Sequence, residues 1–182
     1  MKTNVLKTWG CGLVLAALCA WMASPAFGAG QDVSSAERPK ANLAAVREKA
    51  ESMPSDARRE IDKRIAITVE RVNHEAADGG QATMTARLAA EFKITEESLL
   101  DEKAEHSLSW GEVVIAHTLL ANSGTGLTIV DLAQLRREGL GWGAIAFGLQ
   151  FHMEDFEDAI KAEGRVAMGL PKADGKAATI AK

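Results

Sequence analysis

The chain has 182 residues, 47% of them hydrophobic, and a formal net charge of −4. That length and apolar share suffice for one domain held by its own core. The acidic balance argues against a surface built for nucleic acid phosphates or anionic lipid, so no nucleic acid partner is expected.

The first residues read as an export signal. Lys2 and Lys7 give a positive start, Gly10 to Ala23 is nearly all apolar, and Ser24-Pro25 breaks the run. Ala26-Phe27-Gly28 carries small residues at both ends, which places cleavage after Gly28 and the mature chain in the periplasm or outside the cell. The run is shorter than the roughly 20 residues a spanning helix needs, so no stable membrane insertion is expected after cleavage. An uncleaved anchor is the alternative. Lipidation at Cys19 is disfavoured by Leu18, which stands where a small residue belongs. The 2 cysteines, Cys11 and Cys19, both fall in this segment. A mature chain therefore has neither a disulfide nor a Cys metal ligand.

Residues 29–40 are polar and contain Pro39, the pattern of a flexible leader. Residues 41–80 read as an N-terminal helical segment. A first helix runs from Asn42 to Met53, and Pro54-Ser55 interrupts it. A longer amphipathic helix then spans Asp56 to Ala77. Ile61, Ile65, Val69, Val72 and Ala76 recur at steps of three and four and form one apolar stripe. Arg58–Asp62, Glu60–Arg64 and Arg71–Glu75 are opposite charges four apart, expected as ion pairs on the outer face. Gly79-Gly80 ends the helix.

Residues 82–163 repeat themselves. Leu108-Ser-Trp-Gly-Glu-Val113 and Leu140-Gly-Trp-Gly-Ala-Ile145 place two Trp-Gly pairs 32 residues apart, a period typical of stacked helical arrays. Helices are expected near 83–92, 96–106, 110–121, 129–138, 142–150 and 153–163. Ser109 with Glu112, and Thr128 with Asp131, have capping-box spacing. Gly139 suits a left-handed C-terminal cap. Phe147 to Phe151, leading into Glu154 to Ile160, forms a terminal unit without Trp-Gly, as a capping repeat would. Residues 164–182 are small, charged and expected to be a disordered basic tail. The tail from 161 on has 5 basic and 2 acidic side chains, against 5 basic and 13 acidic over 87–160.

Trp142, Ile145, Ala146 and Leu149 share one helical face, and Trp110, Val113, Val114 and His117 hold the same places in the first unit. Trp110 and Trp142 are read as packing residues at a seam, with Gly111 and Gly143 allowing close backbone approach. His117 stands where the second unit has Leu149, so it requires a hydrogen-bond partner or a function. Glu102 and His106 are four apart on one helix; Glu112 and His117, five apart, face differently. No zinc-protease, cysteine or phosphate-loop motif is present, and no cofactor is expected. Glu154, Asp155, Glu157 and Asp158 are read as an exposed, dipole-favoured helix start.

Arg137 to Leu149, followed by Met153 to Ala162, resembles the helix-turn-helix of bacterial regulators, but acids crowd the helix that would face phosphate. A wider likeness covers residues 85–163. Gly139-Leu140-Gly141-Trp142-Gly143-Ala144-Ile145-Ala146 and Ser109-Trp110-Gly111-Glu112-Val113 resemble repeats in uncharacterised exported bacterial proteins, with Ala144 where that group often has Glu. The resemblance implies helical repeats and export, and no activity.

The expectation is an all-α protein: short helical hairpins stacked as a small repeat array, preceded by the longer amphipathic helix. Its expected role is non-enzymatic, binding an unknown protein or envelope component. Two alternatives remain open: a small enzyme on envelope polymers using Glu112 and His117, or a metal or small-ligand binder centred on His117 and the tryptophans.

Overall fold

Every regular element in the computed structural model, which describes residues 37–172, is helical. The export signal, most of the leader and residues 173–182 lie outside the described residues. Helix α1 spans Glu37–Glu51 and so takes in the last four residues assigned to the leader. Leu43, Val46 and Ala50 are its buried side, at steps of three and four, and Met53, just past its end, is buried with them. Pro54 then interrupts the chain as expected and serves as the N-cap residue of α2, Ser55–Glu75.

Helix α2 is the rod around which the rest is arranged, packing against α5, α7 and α8. Ile61, Ile65 and Val72 are buried on the predicted stripe, with Thr68 beside them. A wide turn follows at Ala76–Gly80, where Gly79 at φ 95° reverses the chain at no side-chain cost.

Helices α3 (Gln81–Phe92), α4 (Glu96–Glu105), α5 (Trp110–Ser123), α6 (Ile129–Arg137), α7 (Trp142–Gly148) and α8 (Met153–Ala167) complete the chain. Local chemistry sets their starts. Thr95 caps α4 through Ser98 N–H, and both expected capping boxes form, at Ser109–Glu112 and Thr128–Asp131. Each such cap contributes about 1 kcal/mol by satisfying otherwise unpaired amides.

Both Trp-Gly helices also take a cap from α2, in addition to the Ser109 box on α5 and in place of a local side-chain cap on α7. The amide of Gly111, in the first turn of α5, donates to Asn73 Oδ1 at 2.9 Å. The amide of Gly143, in the first turn of α7, donates to Asp62 Oδ1 at 3.0 Å. Both acceptors lie on α2, eleven residues apart, which is three helical turns or about 16 Å. The contact is close enough to require glycine. A Cβ on Gly111 would sit 2.6 Å from Val69 Cα, and one on Gly143 would sit 2.6 Å from Ile61 Cγ2.

Three local expectations are corrected here. Asp62 does not pair with Arg58 on an outer face. It caps α7, while Arg58 donates towards the carbonyls of Ala50, Glu51 and Met53. Glu60 and Arg64 do pair, at 3.5 Å. Glu157 is not part of an exposed acidic start: it is buried against Arg64, 3.1 Å away, while Glu154, Asp155 and Asp158 are exposed. Finally, α8 does not stop at residue 163. Gly164 continues it, because α2 crosses there and a Cβ would meet Thr68 Cγ2 at 2.5 Å.

Candidate functional site

The side chains singled out from sequence fall into two separate sites. The first is the seam at Trp142. Both tryptophans are buried, 5% exposed each, and each carries a cation on its ring. Lys103 lies 5.4 Å from the Trp110 ring and Arg136 lies 5.1 Å from the Trp142 ring, each from the last turn of the preceding helix.

Glu112 ties α5 to α6 and α7. Its Oε2 accepts from the Ser109 amide at 3.0 Å and the Ser109 hydroxyl at 3.1 Å. Its Oε1 accepts from Arg136 at 3.1 Å and from the Trp142 indole N–H at 3.3 Å. Burial alone would push this carboxyl up, but the Ser109 amide, Arg136, the Ser109 hydroxyl and Trp142 together outweigh it and hold it below the usual carboxylate range. A carboxylate so saturated is poorly suited to move protons near neutral pH. Beside it is a cleft of about 280 Å³, walled by Asp62, Ile65, Val69, Glu112, Arg136 and Trp142.

The second site surrounds His117. The ring is 8% exposed and stacks on Phe92 with centroids 4.8 Å apart and planes 17° from parallel. Its Nε2 lies 2.8 Å from Glu102 Oε2. Burial is the largest influence and lowers the imidazole pKa; Glu102 opposes it without reversing it. Burial therefore favours the neutral ring. An ionised carboxylate only accepts, so Nε2 carries the proton and donates to Glu102, which leaves Nδ1 as the acceptor nitrogen. Glu102 is thus the partner His117 requires, whereas the expected neighbour His106 bonds Glu102 only through the backbone.

His117 lines a cavity of about 370 Å³ with Glu91, Phe92, Lys93, Asn122 and Glu163. Glu112 does not reach it, so the pair considered for catalysis is split between two sites. Among the described residues, no group of three or more His, Cys, Asp or Glu is placed to hold a metal ion. No described helix is long and apolar enough to cross a membrane.

Sequence reasoning missed Asn73, Glu91 and Glu163, and set Asp62 beside Arg58 and Glu102 beside His106 instead of Gly143 and His117. Asp62 and Asn73 did carry a signal: they repeat at the same eleven-residue interval as the buried Ile61 and Val72. Glu91 and Glu163 carried none, because α3 and α8 bring them together from 72 positions apart. No protein-family model matches the chain, and comparison with curated proteins and with solved structures gives no match.

Proposed function

We propose that this chain is an exported, non-enzymatic helical-repeat protein that works by binding an envelope component, with the His117 cavity as its recognition site. The observation that carries the reading is the cavity's lining. A stacked Phe92–His117 pair with a neutral ring borders carboxylates, an amide and Lys93, the mixed surface that orients a small ligand or a projecting side chain. The non-enzymatic part rests on Glu112 being saturated and facing away from His117. The repeat part is supported by the matched docking of Gly111 and Gly143 on α2 and by the matched cations on the two tryptophans.

The test compares wild-type mature chain with His117→Leu, the residue of the second unit, in thermal shift against a panel of envelope fragments. Some fragments raise the melting temperature of the wild type and do so less in the variant. Equal responses, or none across the panel, overturn the cavity assignment. Turnover of any fragment by wild type that is lost in His117→Ala or Glu112→Ala overturns the non-enzymatic reading.

A further inference from the structure

The mouth of the His117 cavity holds a feature that the packing of the helices does not require. Glu91 of α3 and Glu163 of α8 bring two carboxylates to one wall of the cavity. The Glu163 side chain is 6% exposed and that of Glu91 28%. Two such groups at close quarters repel and lose hydration, so the pair is tolerable only with a cation between them. The cation is Lys172. Its Nζ lies 2.6 Å from Glu91 Oε1 and 3.0 Å from Glu163 Oε1.

Lys172 is delivered by a weakly held carrier. After α8 the chain caps itself, with Gly169 N–H on Val166 O and Leu170 N–H on Arg165 O at 2.9 and 2.8 Å. Arg165 Nε then holds the Pro171 carbonyl at 2.8 Å. Leu170 is exposed, and Pro171 also faces solvent, so little apolar burial ties this segment down. The anionic wall is thus built from two core helices, whereas its cation rides on a short non-helical segment at the surface.

We infer that the Glu91–Glu163 wall of the His117 cavity is a binding site for a primary alkylammonium group, occupied in this structure by the chain's own Lys172. An incoming ligand with an ammonium on an unbranched carbon chain places its charge between the same carboxylates, takes the place of the Lys172 stem, and displaces residues 169–172. Guanidinium is the poorer fit: it is planar and forked, while the two oxygens come from separate helices and accept from one nitrogen. The inference rests on the His117 cavity being the recognition site and names the ligand chemistry there.

The experiment uses the full mature chain carrying Lys172→Met, which keeps an apolar stem and removes the charge. The probe is n-butylammonium, with sodium at equal ionic strength as the screening control and n-butanol as the uncharged control. The expected result is lower thermal stability for K172M, recovered by n-butylammonium and by neither control. Affinity falls at least about tenfold when Glu91→Gln is added, and about tenfold in wild type, where Lys172 competes. If K172M folds but n-butylammonium restores no more than sodium, Lys172 is a structural clamp and the inference is overturned. Should K172M fail to fold, Lys172→Gln, titrated with the same probe and followed by the imidazole NMR signals of His117, decides by the same criterion. Failure here leaves the His117→Leu comparison intact, since that test reads other ligands; failure of that comparison with rescue of K172M would keep the ammonium site and discard only the wider recognition role.

Discussion

Gly111→Ala separates backbone packing from helix propensity. In the first turn of α5, alanine is favoured over glycine by at most about 1 kcal/mol on propensity alone. The new Cβ, however, would lie 2.6 Å from Val69 Cα and 2.8 Å from Val69 O, and neither atom can move by a rotamer change. Helix α2 or α5 must shift, which stretches the Gly111–Asn73 hydrogen bond and opens the Trp110 seam. Overpacking of this kind costs about 3 kcal/mol at the upper end of the ordinary range, so the net loss is about 2 kcal/mol. For a domain of this size that lowers the melting temperature by about 4 to 8 °C. Gly143→Ala meets Ile61 Cγ2 at 2.6 Å and Ile61 Cβ at 3.1 Å, side-chain atoms of a stiff β-branched residue rather than backbone, so its loss is somewhat smaller, about 1 to 2 kcal/mol. Urea denaturation of the three proteins, with near-ultraviolet circular dichroism reporting tryptophan packing, checks the ranking. Gly111→Ala equal to or more stable than wild type would refute the close-approach argument.

Asp62→Ala and Asn73→Ala each remove a cap supplied from α2 to another helix and lower stability by about 1 to 2 kcal/mol. Asp62→Asn retains an acceptor and loses less. Because the two sites are about 16 Å apart, the double variant should lose the sum within about 0.5 kcal/mol; strong non-additivity in urea denaturation would contradict independent caps. Glu112 has a lowered folded pKa, so its ionised form contributes stability that is present above the ordinary carboxylate value and lost as pH falls through the folded one. Wild type should therefore lose more stability than Glu112→Gln between about pH 5 and pH 3; parallel melting profiles would remove Glu112 as the tie between α5 and the α6–α7 pair. His117 is also depressed, but as a base: the unfolded chain binds its proton first, so stability is present above about pH 6.5 and falls as pH drops below it. Proton NMR should place its midpoint below 6.5, and His117→Leu should flatten that part of the stability profile. Glu102, Glu91, Glu163 and Lys93 border the ring, so a midpoint at or above 6.5 would mean that their charges outweigh burial.

The helices and their ends were legible along the chain because their causes are local. A stripe at steps of three and four, an N-cap oxygen three residues before the amide that donates to it, or Gly139 after Arg137 depends only on neighbours a turn away. The shared face of the second Trp-Gly helix was legible for the same reason: Trp142, Ile145, Ala146 and Leu149 face one way on any helix, and all are buried. Other features depended on which helices meet. Asp62 read as half of a surface pair with Arg58 because nothing near it in sequence announces that Gly143, 81 residues on, supplies an unpaired amide. Glu157 looked like an ordinary acid of an exposed helix, yet α2 covers it with Arg64, and Glu163, which nothing in the sequence singled out, is paired with Lys172. His117 announced its need for a partner, but Glu102, fifteen residues away across a turn between α4 and α5, was chosen by the packing of Phe92 and His117 ring on ring. Local order follows from hydrogen bonds and periodicity within a turn or two of helix. The partners of buried charges follow from crossings between helices far apart in the chain, and those crossings come into being only when the core closes.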